Sequence, residues 1–329
     1  MPLSTADAEP YPDLPAARDR WILERRGPRA RVDPSRPVGA FLEEELSETG
    51  TVTPVLTVLI ANRECPWRCL MCDLWRHTTE QSVAPGAVAA QVRQALSAFP
   101  QARRAKLYNA GSFFDRRAVA PGDLLEMVPA LRGLDRVIVE CHPALVGTAC
   151  RRFAEDLGGT LEVAMGLETV HPGALDALNK RMTLDDFRRA ADRLSSWRVP
   201  FRAFVLLAAP RIPPAEAVAW STRSVEFAFG CGASAVTILP TRPGNGALDV
   251  LVRRGEFTPA TLDELERALG DAILMRRGRV FADLWDLDRL RDCGDCFPIR
   301  RARLAAMNRM QTVPPAGSCG SCGHAAGPP

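Results

Sequence analysis

The sequence predicts an α/β fold, an incomplete parallel (β/α)6 barrel of TIM-like type, and three observations carry that expectation. Six short runs rich in apolar and β-branched residues recur between positions 56 and 239. Stretches with apolar residues at helical spacing separate them. Strands that alternate with helices pair in parallel through right-handed crossovers, which makes an open sheet or a barrel. Six units fall short of the closed eight-unit barrel, so a lateral opening is expected, with the active site where the βα loops gather at the C-terminal strand ends.

Residues 1–50 are rich in Pro, Arg and Glu without sustained periodicity and read as an irregular arm with one helix near Trp21 to Arg26. Strands are expected at 56–61, 105–110, 136–140, 161–166, 202–208 and 235–239. Between the first two, Val88, Val92, Leu96 and Phe99 share one helical face, and Pro100 stops the run. Thr183 followed by Asp186 matches a capping box ahead of Leu184, Phe187, Ala191 and Leu194. Pro214 opens and Gly230 closes a further helix, with Val218, Val225 and Phe229 toward the core. Another strand is expected at 279–283. The chain therefore divides into an arm (1–50), a barrel (51–285) and a cysteine-rich tail (286–329).

With 42 basic and 39 acidic side chains the net charge is only +3, which gives no strong pull toward nucleic acid or an anionic membrane. The basic side is nearly all arginine; Lys106 and Lys180 are the only lysines. No apolar run is long enough to span a bilayer, and the N-terminus lacks a basic and an apolar leader region, so a soluble cytoplasmic protein is expected.

Seven of the ten cysteines fall in close groups, a pattern that suits metal better than disulfides in a reducing compartment. Cys65, Cys69 and Cys72 follow the first strand at Cys-x3-Cys-x2-Cys spacing. Three thiolates on one loop can hold a 4Fe-4S cube and leave its fourth iron open. The competing reading is a zinc knuckle closed by His77. At the other end, Cys293 with Cys296 and Cys319 with Cys322 form two Cys-x2-Cys pairs that suit zinc or an auxiliary 4Fe-4S cluster, with His324 as an alternative ligand and disulfides a third choice. Cys141, Cys150 and Cys231 stand alone and read as small buried hydrophobes.

On this cysteine spacing at the end of the first strand of a βα fold, the chain resembles the radical S-adenosylmethionine (SAM) superfamily over about residues 55–245. Met71 stands where that superfamily usually has an aromatic residue. The resemblance implies that Cys65, Cys69 and Cys72 are catalytic, that SAM chelates the open iron, and that its reductive cleavage gives a 5′-deoxyadenosyl radical that takes hydrogen from substrate. A flavodoxin- or ferredoxin-type donor of low potential is then the expected partner. The strand ends would bind SAM: Asn109, Gly111 and Ser112, beside Asp115, at the amino group; Glu140 at the ribose; Glu168 and Arg202 at the polar groups, Arg202 as the cation for the carboxylate; Pro240 against adenine. His142, beside Glu140, reads either as a substrate-facing residue or, as a lone loop histidine more often is, as a surface or hydrogen-bonded one.

The elements Asn109-Ala110-Gly111-Ser112, Gly166-Leu167-Glu168-Thr169 and Leu178-Asn179-Lys180 resemble the group of the archaeosine synthase radical SAM subunit and the elongator catalytic subunit. That implies a modified base of tRNA as substrate; a small molecule or peptide is the alternative. Arg18, Arg20, Arg25, Arg26, Arg29 and Arg31 around Trp21 would be the basic footprint for RNA, unless the arm simply packs across the barrel. A noncatalytic, zinc-bearing RNA-binding protein is the competing class.

Overall fold

Eight strands form one curled sheet in the order β1-β2-β3-β4-β5-β6-β7-β8. They are β1 (Gly39–Leu46), β2 (Val52–Ile60), β3 (Arg104–Asn109), β4 (Arg136–Glu140), β5 (Leu161–Glu168), β6 (Phe201–Leu207), β7 (Ala235–Pro240) and β8 (Arg279–Ala282). This computed structural model describes residues 9–323, Ala325 and Ala326. From β2 to β8 every pairing is parallel, as the alternation of strands and helices requires. Ten helices accompany them: α1 (Pro15–Glu24), α2 (Ala87–Ala98), α3 (Pro121–Leu131), α4 (Thr148–Asp156), α5 (Pro172–Ala177), α6 (Leu184–Ser196), α7 (Ala217–Gly230), α8 (Ala247–Arg253), α9 (Leu262–Leu274) and α10 (Phe297–Met310). Thr183 and Asp186 close the capping box expected at the start of α6. Among the described residues no helix is long and apolar enough to cross a membrane.

Successive strand side chains alternate between the two faces of the sheet. One set, including Leu56, Val58, Val137, Val139, Val163 and Val205, is fully buried beneath the helices and forms the main core. The other set lines the concave interior and is polar at the N-terminal ends of the strands. There Arg202 donates to Glu162 (2.6 Å) and, with both terminal nitrogens, to Glu45 (2.8 and 3.0 Å). Lys106 bridges Glu43 and Glu45, each at 2.8 Å. Burial acts to raise the pKa of Glu45, but Arg202 and Lys106 outweigh it and hold the carboxyl well below the usual range.

This floor of charge corrects two expectations. The arm is not irregular throughout: its second half is β1, antiparallel to β2 with Gly39 opposite Leu59 and Leu46 opposite Val52. β1 brings Glu43 and Glu45 to the interior. Arg202 is the second residue of β6, at the end remote from the βα loops, and its guanidinium is consumed by two carboxylates. It cannot serve a ligand at the C-terminal strand ends.

The two sheet edges do not pair, but side chains join them. Arg279 of β8 donates to the carbonyl of Leu46 (3.0 Å), and Trp285 donates to Glu43 (2.7 Å) while meeting Phe41 edge-on. α10 covers the outer edge of β8. Asn308 accepts from the amide of Ala282 and donates to its carbonyl; Gln311 does the same for Val280. Two side-chain amides thus supply the hydrogen bonds that a ninth strand would have made.

Arg202→Met leaves Glu162 without its main cation and Glu45 with Lys106 alone. Urea unfolding should show a loss of about 3–5 kcal/mol, the range for uncovering a buried charge. Because Glu45 titrates below its unfolded value, its contribution is present above the ordinary glutamate pKa of about 4.3 and is lost as pH falls through the lower folded value. The wild type should therefore lose stability on acidification below about pH 4.3, and the variant should lose less over the same window.

Candidate functional site

The loop from Ala61 to Asp73 has almost no secondary structure of its own, so its backbone groups must be satisfied from outside. Three neighbouring segments do much of this. Cys65 donates its amide to Ala110 after β3 (3.3 Å). Leu70 donates to Leu178 (2.9 Å), and Asn179 donates its side-chain amide to Arg68 (2.8 Å). Beyond β7, Asn245 donates to the carbonyls of Leu70 (2.7 Å) and Cys72 (3.3 Å). Inside the cysteine spacing, the Trp67 ring lies flat on His142, with centroids 3.8 Å apart and an 8° interplanar angle.

Cys65, Cys69 and Cys72 are therefore held at the C-terminal ends of β2, β3, β4, β5 and β7. Burial pushes the thiol of Cys69 up to about 12 and those of Cys65 and Cys72 upward as well. A side chain at Gly111 would overlap Cβ of Cys65, so only glycine lets the β3 turn pass so close to the loop. Among the described residues, Cys65, Cys69 and Cys72 do not gather with one another, or with a histidine or carboxylate, into a group whose ligand atoms all lie within 4.8 Å, so no compact zinc knuckle is formed there. His77, the ligand a zinc knuckle would need, lines a recess with Arg31, Asp33 and Arg36 instead. Three thiols on one loop, with His77 turned to a different recess, are a donor set that fits a 4Fe-4S cube with one open iron.

Beside the loop, Lys180 donates to Glu168, and both are buried. Burial acts against the ammonium, but Glu168 and the cysteines outweigh it and raise its pKa. The pair depends on β5 ending irregularly: the register with β6 shifts between Gly166 and Glu168, and Glu168 takes a left-handed conformation with φ of 67°. Such a bulge re-aims a side chain at a strand end. A Cβ on Gly166 would collide with both the Lys180 ammonium and the Glu168 carboxylate. The Gly-Leu-Glu-Thr element thus has a steric meaning: glycine clears the space that the ion pair fills.

The remaining expected residues are distributed around this point. Asn109 ends β3 opposite Ile60, and its side chain lies outside what is described. Glu140 ends β4 at half-burial, and its carbonyl accepts from Phe113 (2.8 Å). Pro240 closes β7, followed by Thr241, whose buried hydroxyl has no partner. Ser112 differs from expectation: it is fully buried, its hydroxyl accepts from the His142 amide (3.1 Å) and contacts Cys141 (3.6 Å), so it braces the turn from behind. Asp115 likewise accepts from the Arg117 amide (3.0 Å) and stabilises the same turn. His142 accepts from the amide of Ala144 at Nδ1, which places its proton on Nε2, and Nε2 donates to the carbonyl of Lys180 (3.1 Å). Burial and Lys180 depress its pKa to about 3, so the ring is neutral and works as a platform for Trp67.

Lys180 and Trp67 were not singled out for the site. The sequence does carry one signal for Lys180, since a lysine retained among forty arginines marks a place where a slim ammonium is wanted. The arginines of the arm mostly turn inward. Arg18 donates to the Asp176 carboxylate (2.8 Å), Arg25 stacks on Trp21, and Arg26 and Arg29 converge with Arg68 on Glu64, directly before Cys65. Only Arg20 and Arg31 of the six are exposed.

In the tail, Cys293, Cys296, Cys319 and Cys322 come together with all four sulfurs within 4.8 Å of one another. His324 lies outside the described residues.

No protein-family model matches the chain. It is 26% identical over 263 residues to archaeosine synthase subunit beta of Methanosarcina acetivorans, an alignment that covers 74% of each chain. Its fold is that of methylornithine synthase, with a TM-score of 0.52 at 12% identity over 91% of this chain and 75% of the other. The archaeal Elp3 of Methanocaldococcus infernus aligns with a TM-score of 0.47 at 15% identity, over 59% of this chain and about half (51%) of that one. The chain thus has a partial TIM-like barrel, the fold it shares with methylornithine synthase.

Asn245→Ala should free the carbonyls of Leu70 and Cys72 at a cost of about 1–3 kcal/mol. Alkylation of Cys69 and Cys72, followed by mass spectrometry, should accelerate several-fold while the far-ultraviolet circular dichroism stays unchanged.

Proposed function

We propose that this chain is a radical SAM enzyme, and the observation that carries the reading is a loop of three half-buried thiols at Cys-x3-Cys-x2-Cys spacing, fastened at the mouth of a partial TIM-like barrel. When bound there, a reduced 4Fe-4S cluster would supply one electron for cleavage of the C5′–S bond of SAM, giving methionine and the 5′-deoxyadenosyl radical. The protein's own residues do the positioning. Lys180 offers the one buried ammonium beside the cysteines and can exchange Glu168 for the carboxylate of SAM, the role that Arg202 cannot fill. Glu140 and Glu168 offer acceptors for hydroxyl and ammonium groups, and Gly111 and Gly166 let backbone and ligand approach closely. The tie between Trp67 and His142 keeps the loop from swinging as the cluster is loaded.

Likeness to archaeosine synthase supports a modified base of tRNA as substrate. The inward engagement of Arg18, Arg26 and Arg29 on carboxylates supports a small molecule or peptide instead, because those guanidiniums are not offered to phosphate. A flavodoxin- or ferredoxin-type donor would supply the electron, and a cytoplasmic location suits both substrates.

Anaerobically reconstituted wild-type protein, reduced and given SAM, should form 5′-deoxyadenosine, and a variant with Cys65, Cys69 and Cys72 changed to Ala should form none. Wild-type protein that carries iron yet leaves SAM intact would refute the reading. Lys180→Met should raise the Kd for SAM at least about tenfold, in keeping with loss of a charge-assisted bond. Retention of tRNA that weakens steeply with salt would favour the RNA substrate; no retention at low salt would favour the small one.

A further inference from the structure

The four tail cysteines stand apart from the barrel mouth in function, and their geometry speaks to the kind of metal they take. Zn–S bonds of about 2.3 Å arranged tetrahedrally place the sulfurs about 3.8 Å apart. Cys296 and Cys322 lie 3.7 Å apart, and all four sulfurs fall within 4.8 Å. In a 4Fe-4S cube each thiolate binds a different iron, which spreads the sulfurs well beyond the edge of that tetrahedron. All four cysteines are free thiols rather than paired disulfides.

The surroundings are those of a closed structural site. Gly323 donates to the Cys319 carbonyl (2.9 Å), which turns the second Cys-x2-Cys pair back on itself. Ser321 in the second knuckle donates to Asp295 in the first (2.6 Å), so the two halves are bonded to each other as well as facing each other. Cys296 is the residue that caps α10, whose positive end favours the net negative charge of four thiolates around a divalent ion.

The chain path gives the site its role. α10 runs from Phe297 to Met310 with Asn308 and Gln311 sealing the edge of β8, and the segment after Gln311 then returns along the helix. Arg303 holds that segment through the Pro314 carbonyl (3.0 and 3.1 Å), and Val313 packs against the core. The second knuckle fastens its far end, through Cys322 against Cys296 and Ser321 on Asp295.

We propose that Cys293, Cys296, Cys319 and Cys322 bind a single tetrahedral zinc ion that ties the returning tail to the start of α10 and keeps that helix seated on the β8 edge. The ion is redox-inert and takes no part in electron delivery to the barrel mouth. This inference does not depend on the chemistry proposed there.

Full-length protein with Cys65, Cys69 and Cys72 changed to Ala isolates the tail site, so its failure is separable from that of the radical reading. Purified in air, this variant should contain one zinc per chain and no sulfide. With cobalt in place of zinc it should show the intense visible bands of a tetrahedral tetrathiolate. Removing the zinc with a chelator should lower the melting temperature by at least about 4 °C and open the segment after Gln311 to protease, with both effects reversed by added zinc. Cys319→Ala with Cys322→Ala in the same background should abolish zinc retention. Iron with equimolar sulfide, a single iron, no metal, or zinc whose removal changes neither melting nor proteolysis would each overturn the proposal.

Discussion

The buried guanidinium of Arg202 is the constraint on which the barrel interior depends. A cation enclosed among strands must be matched at close range, because desolvation costs several kcal/mol for each ion. Glu162, on the neighbouring strand, meets one side of it. The other side requires carboxylates from outside the parallel array, and β1 supplies them by running antiparallel along β2 with Glu43 and Glu45 facing inward. The edge strand is therefore part of the electrostatic floor as well as an extension of the sheet. Glu48, just beyond β1, extends the same logic: burial acts against its ionised form, but Arg136 and Arg104 hold its pKa at about 2.

With the floor closed by charge, the other end of the barrel is free to hold a loop with no ladder of its own. The cysteine loop is fixed by single contacts from many places, including Ala110, Leu178, Asn179 and Asn245. Each is a residue just past a strand end or in the segment that follows it. The same device appears at the β8 edge, where Asn308 and Gln311 satisfy the strand, and just after β2, where Gln91 satisfies both backbone groups of Ala61. Carboxamides carry a donor and an acceptor side by side, which is why they can stand in for a missing strand.

Much of this was legible in the sequence. The strands from β2 to β8 follow the apolar runs, because a parallel strand covered on its outer face must be continuously apolar there. Thr183 and Asp186 announced α6, and the cysteine spacings announced both sulfur-rich sites. β1 was missed because its inward positions are glutamates, so Gly39 to Leu46 reads as a polar stretch until the distant cations are known. Arg202 was misplaced for the same reason: a charged residue near a strand reads alike at either end, and the register that separates floor from mouth is a property of the assembled sheet. The two lysines were the unread signal. One sits on the floor with Glu43 and Glu45, the other at the mouth with Glu168.

The hairpin of β1 and β2 also bears on how the chain is synthesised. It can close as soon as its short connection has emerged, since the turn is local and Ser47 bonds directly to Thr51 (2.8 Å). Its principal cation, however, lies 157 residues beyond Glu45. At ribosomal rates of 5–20 residues per second, roughly 8–30 s pass between the two. Until Arg202 arrives, Glu45 has Lys106 as its one cation, and a nascent two-stranded ribbon with carboxylates on its concave side resists sticking to its neighbours on the polysome. The charges that are costly to enclose in the finished barrel thus act first as gatekeepers of the unfinished one.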